Sequence, residues 1–311
     1  GAASPLTVAT GGDAGNNTNI TLQTPKTVYW SFVAGGAWTA TVWALTSGGT
    51  PALANYPLPQ DTVIIEDAGL NSGTTITFTT NYVGTIDAST RTLPMTLSAA
   101  GTFPTICGNV SLSSAVTTTT GTFTFAGFNT TQTFTSAGAS VLYAITVNGT
   151  STTFALGDAL TSTATFTLTL GALNLNAQAL TNSTFSSTGS SVRSIAFNSG
   201  TMAVSGATFT VSGTNFSTSG AGTISMTSAS SKTFAGGGFS YPTLNQGGAG
   251  TLVITSANTF ADISNTVQPC TITFPASIAT TVSAFNVSGT AGNLVTINSS
   301  TPGTRFNLVK V

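Results

Sequence analysis

The 311-residue chain is expected to fold as an all-β parallel β-helix, a β-solenoid whose coils stack on one another. Three observations lead to that class. Short apolar strands of alternating pattern recur along most of the chain, roughly a third of the residues are Ser or Thr alongside 34 Gly, and charged residues make up only 4%. Thr and aromatic residues favour extended chain and Gly and Ser favour turns, while the helix-building Leu, Glu, Lys and Arg are scarce.

Residues 1–28, with the run GGDAGNNTNI, read as an N-terminal arm too polar and glycine-rich to hold a core of its own. Residues 29–75 form a Trp-rich capping and attachment module, holding Trp30, Trp38 and Trp43 and a proline turn near Pro57 and Pro59. From Ile76 to Val311 the chain becomes the β-helix proper, with strands such as Ile76-Thr77-Phe78, Phe123-Thr124-Phe125, Ile145-Thr146-Val147 and Phe166-Thr167-Leu168. Their spacing is about 22 residues from Phe123 to Ile145 and about 21 on to Phe166, a period that fits one coil of a solenoid. Later strands, among them Phe209–Val211, Leu252–Ile254 and Ile272–Phe274, are less evenly placed. At ~4.8 Å per coil the chain makes about a dozen rungs, with Phe, Leu, Ile and Val inside and Thr, Ser and Asn outside.

A set of antiparallel sandwiches is the competing architecture. Against it, hairpin dipeptides are almost absent, Asn148-Gly149 being the exception. Asparagines recur at strand ends instead (Asn129, Asn148, Asn174, Asn176, Asn198), where coil corners turn through the left-handed region.

With no His in the chain, Ser-His-Asp and Cys-His triads and His-ligated metals are excluded. No cofactor or metal is expected. Six Lys and Arg at a net charge of −1 do not neutralise a row of phosphates, so nucleic acid is not an expected partner. No stretch approaches the ~20 apolar residues of a membrane-inserting helix. Cys107 and Cys270 lack metal-type spacing and are expected to be buried thiols outside any disulfide. Much of so charge-poor a surface is expected to be covered by other copies of the chain or by a larger assembly.

Two groups of residues are candidates for a site. Trp30, Trp38, Trp43 and Tyr56 either plug the open end of the solenoid or form a platform on which sugar rings stack. Asp61, Glu66 and Asp67 are the densest acidic group, the residue type a glycosidase uses in pairs. Their simpler reading is a turn at Asp61 and a solvated strand exit at Glu66-Asp67. Asp87, Asp158 and Asp262 are isolated in sequence.

The segments Tyr29-Trp30, Gly35-Gly36-Ala37-Trp38, Trp43, Ser47-Gly48-Gly49, Pro59 and Asp61-Thr62-Val63-Ile64-Ile65 resemble the N-terminal module of a repetitive family common in tailed bacteriophages, including cyanophages. Thr122 to Gly127, Gln132 to Gly138, Lys232 to Gly238 and Gly289 to Val295 resemble the coil motifs of that family. The resemblance covers residues 29–311. It implies a parallel β-helix in a virion fibre, tailspike or appendage, located on the particle surface. It also implies a homotrimer that contacts other virion proteins and host surface polysaccharide. No catalytic residues carry over from it. A bacterial cell-surface adhesin of the same fold is the alternative, and a polysaccharide-degrading spike is a third reading.

Overall fold

Alternation of Thr with Phe, Ile, Leu or Val places every second side chain on one face of an extended strand, and the fold buries that face throughout. In the computed structural model, which describes residues 6–7, 20–99, 103–127 and 130–311, nearly all regular structure is strand. The only helical segments among those residues are two single 3-10 turns, Leu53–Asn55 and Asp67–Gly69. The chain is a β-solenoid of about 11 turns, divided into two compact units, Gly1–Leu160 and Thr161–Val311. Most of the expected arm, residues 1–28, lies outside the described residues, as does Asn129.

In the first unit each coil contributes to three parallel ladders. One stacks Gly36–Ala37, Thr74–Thr77, Met95–Ser98 and Val116–Thr118. The next stacks Tyr82–Val83, Thr105–Ile106, Gly121–Phe125 and the start of Tyr143–Leu156. The third runs from Thr27–Trp30 through Thr62–Ile64, Thr85–Asp87, Val110–Ser111 and Thr131–Thr135 to the end of Tyr143–Leu156. Strands of residues 29–75 are therefore in register with the coils that follow them.

The second unit has two long parallel ladders and one short one. The first stacks the start of Thr165–Asn174, then Thr184–Ser187, Thr208–Val211, Lys232–Ala235, Thr251–Thr255, Cys270–Phe274 and Val295–Ser299. Opposite it stack Ala179–Asn182, Thr201–Val204, Thr223–Met226, Ser240–Gln246, Thr259–Asn265, Ala279–Asn286 and Asn307–Lys310. A short ladder joins the end of Thr165–Asn174 to Arg193–Ala196 and Phe216–Ser219. Parallel pairing rules out the sandwich, which needs antiparallel neighbours.

The coil period is elastic. Register partners on adjacent coils are 19 residues apart at Thr165 and Thr184 and 28 apart at Ala279 and Asn307, because corners lengthen while the strands keep register. Asn176 and Asn198 do turn corners in the left-handed region, with φ of 50° and 47°. Serines share the task at Ser199, beside Asn198, and at Ser151, Ser256 and Ser277, positions that no asparagine pattern marks. Asn148 does not turn a corner this way and is an exposed residue within Tyr143–Leu156, while Asn174 ends its strand and accepts the Asn176 N–H at 2.9 Å.

Inward residues form continuous aromatic columns. Phe185, Phe209 and Phe234 stack with centroids 4.8 and 4.6 Å apart, each directly above its partner in the next coil. Phe125 and Phe166 are likewise buried. No disulfide joins Cys107 and Cys270; Cys270 is buried, but Cys107 is only half-buried because it follows the strand Thr105–Ile106 at a corner. Phe209 has no exposed surface and ring neighbours on both sides, so Phe209→Ala is expected to cost ~3–5 kcal/mol. A urea midpoint unchanged from the parent would contradict this packing.

Candidate functional site

Three of the four aromatic candidates come together. Trp30 meets Trp43 edge to face at 5.1 Å, Trp43 meets Trp38 at 4.8 Å, and Trp38 meets Phe78 at 4.9 Å. From Phe78 the column continues to Phe123 and Tyr143 inside the first unit. All three indoles are at most 1% exposed, so no ring face is open for a sugar to stack on, and Tyr56 stands apart at the surface, half-buried. The platform reading is thus corrected: these rings are core.

Their backbone also closes a sheet edge. Thr27–Trp30 pairs on one side with Thr62–Ile64 in parallel and on the other with Trp43–Ala44, an antiparallel exception. The Trp43 carbonyl accepts the Ala52 N–H at 3.0 Å and the Asn55 side-chain amide at 3.2 Å. A reversed strand backed by a loop leaves fewer free donors and acceptors than a parallel edge would. Gly69 is required beneath it, since a Cβ there would meet the Trp30 carbonyl oxygen at 1.8 Å.

The acidic candidates are not a catalytic pair in solvent. Asp61 is buried and accepts the Lys26 ammonium at 2.5 Å, the Lys26 N–H at 2.9 Å and the Leu58 N–H at 2.7 Å. Asp67 receives the Thr92 hydroxyl at 2.5 Å and the Leu93 N–H at 3.1 Å, and pairs with Arg91 at 3.1 Å. Glu66-Asp67 does follow the end of the strand Thr62–Ile64 and is partly exposed, but Asp67 is held on Thr92 and Leu93 of the next coil rather than left free. Asp158 accepts the N–H groups of Ser136 and Ala137, and Asp262 accepts from Asn286. Each clamps a neighbouring coil.

The residues that sequence reasoning missed are the cations. Arg91, Arg193 and Lys232 are buried, and each ends among backbone carbonyls of coil corners, most of which accept no backbone N–H. Arg91 donates to the carbonyls of Glu66, Leu70, Asn71 and Leu93. Arg193 reaches those of Gly189, Ser191, Ser212 and Thr214 and the Ser187 hydroxyl. Lys232 donates to Ser228, Gly248 and Ala249, and burial pushes its ammonium below the usual lysine range. With Lys26, four of the six Lys and Arg serve the interior, and Arg305 and Lys310 are exposed. Only the weak signal of a lone cation beside a Gly- or Ser-rich turn marked them.

One open cleft of about 290 Å³ lies on the second unit, lined by Phe216, Ser217, Thr218, Gly238, Phe239 and Ser240. The rings of Phe216 and Phe239 meet edge to face at 5.3 Å, and the Arg193 guanidinium carbon lies 5.8 Å from the Phe216 centroid. Thr218 donates its hydroxyl to the Ser240 carbonyl at 2.7 Å. Its lining offers apolar rings and neutral hydroxyls, with no ionisable group among the six residues. That chemistry suits a neutral, hydroxyl-rich ligand and supplies neither an acid nor a base.

Comparison of the chain with protein-family models, with curated proteins and with solved structures found no match in any of the three.

Two outcomes check the corner assignments. Arg193→Ala strands several buried carbonyls at ~1–3 kcal/mol each, so a clear fall in the urea midpoint is expected, partly restored by Arg193→Lys. The Thr92 hydroxyl first, then the N–H groups of Leu93 and Thr92 and the Arg91 charge, hold the Asp67 carboxyl below its ordinary 3.8 despite desolvation. The folded state therefore favours the carboxylate more than the unfolded chain does. Its stabilisation is complete above pH ~4 and is lost as pH falls through the depressed folded value. Asp67→Asn should flatten that part of the acid unfolding curve.

Proposed function

We propose that the chain is a non-catalytic structural protein of a bacteriophage particle, a fibre, spike or surface decoration built on the β-solenoid. The observation that carries the structural reading is where the charges go. Four of six cations hold corners or turns, and Asp61, Asp67, Asp158 and Asp262 clamp neighbouring coils, so ionisable chemistry is spent on the scaffold. The virion assignment rests on the resemblance of residues 29–311 to phage appendage proteins.

In this reading the chain assembles as a homotrimer with other virion proteins, and the Trp-rich module of residues 29–75 serves as cap and attachment end. Closure of the Thr27–Trp30 edge by Trp43–Ala44 supports the cap. Host contact then falls to neutral surface such as the Phe216–Phe239 cleft, with surface polysaccharide as the ligand class. Hydroxyl and amide contacts there are worth ~0.5–1.5 kcal/mol each, so useful affinity comes from several copies acting together.

Mass spectrometry of gradient-purified particles, with immunogold labelling against residues 76–311, tests the assignment. The chain should co-purify with capsid protein in fixed ratio and label the particle exterior; recovery only in the particle-free fraction would overturn it. Light scattering at micromolar concentration should give a trimer, and a stable monomer would remove the self-assembly part of the reading.

A further inference from the structure

The first long ladder of the second unit turns a regular neutral array outward. Its strands place Thr165 over Thr184 and, on later coils, Thr208 over Thr233. A parallel column two residues along carries Thr167, Ser186, Thr210, Ala235 and Thr255. Further on, Thr251 lies over Thr271 and Thr271 over Thr296. Thr-x-Thr or its close variants therefore recur coil after coil, and these outward residues are partly or fully exposed. Where hydroxyls drop out, at Ala235 and Val253, the replacement still presents methyl groups.

Parallel register gives this array two fixed translations, ~4.8 Å from coil to coil and ~6.7 Å from one Thr to the next on a strand. A surface that repeats in two directions is matched by a ligand that also repeats in two directions. A single glycan chain repeats along one axis only, and among protein partners only another copy of such a ladder carries the same lattice. Hexagonal ice presents water oxygens in rows whose spacings lie close to both translations.

Charge distribution is the second, independent observation. An ionic group orders its own hydration shell and would break a water lattice beside it. The one cation in this ladder, Lys232, is turned inward and holds its ammonium on the carbonyls of Ser228, Gly248 and Ala249. On the opposite ladder, by contrast, the column of Thr223 and Thr243 continues into Asp262. The hydroxyls of Thr165 and Thr184 turn toward each other and bond at 2.7 Å, so this first pair satisfies itself and departs from the ~4.8 Å repeat of the column.

We propose that the Thr-x-Thr face of the ladder from Thr165 to Asn298 binds ordered water as found at the surface of ice, with hydroxyls joining the lattice and methyl groups filling its gaps. This function is independent of a place on a virion. The full-length chain is tested for inhibition of ice recrystallisation in a frozen sucrose film, and for shaping and hysteresis of single ice crystals. The unsubstituted chain should arrest coarsening, Thr210→Lys and Thr208→Lys should abolish the effect, and Ser283→Lys, exposed on the opposite ladder, should keep it. Thr208 is exposed, so that variant preserves the test if Thr210→Lys fails to give the parent circular dichroism spectrum. A folded parent chain that leaves coarsening at the level of an equal mass of serum albumin would overturn the proposal. So would loss of the effect in Ser283→Lys as complete as in Thr210→Lys.

Discussion

In-register parallel stacking is the constraint on which the other features depend. A coil of about twenty residues has too little apolar surface to fold alone, and its strands leave donors and acceptors on both edges. Both deficits are met by setting the next coil above it with like over like, Phe185 over Phe209 over Phe234 inside and Thr over Thr outside. Register cannot slip by one residue along a strand without turning every Phe of that strand into solvent. Variation is therefore confined to the corners.

Corners carry the cost of this arrangement. Each breaks the ladder and leaves carbonyls that point at no strand, and those turned inward have no water to accept from. Arg91, Arg193 and Lys232 fill that role because a guanidinium or ammonium offers several donors from one side chain. Asp158, Asp262 and Asn258 answer the complementary need by accepting stray N–H groups. One division of labour, with apolar side chains packed inside the strands and most ionic head groups spent on the corners, Asp262 on its ladder being an exception, accounts for both the stability of the coils and the scarcity of charge on their outer faces. In the proposed readings, that neutrality is what suits the surface to neutral hydroxyl-bearing or water-like partners.

The β class, the coil period and the inward Phe positions were legible because they are local or nearly so. Alternation is visible within five residues, and a recurring spacing near 22 has no simpler explanation than stacking. Clustering of the three tryptophans was legible too, since Trp30, Trp38 and Trp43 lie within one coil length, but whether they faced solvent or core was not. Solvent access depends on Phe78, a residue 35 positions or more away in sequence, which meets the Trp38 ring.

Sequence by itself determined which residues alternate, how often they recur and how little charge there is to distribute, because these are properties of the order of residues along the chain. Tertiary structure alone decided where the few charges went and which surfaces were left neutral. Arg193 gives no local sign that it will close on Ser212 and Thr214 in the next coil, nor Asp67 that it will take the Thr92 hydroxyl. Those partners are one coil away, a distance set by corner lengths that vary from coil to coil. The physical reason is that strand periodicity is fixed by backbone geometry, whereas the pairing of polar groups at a corner is fixed only once the neighbouring coil is in place.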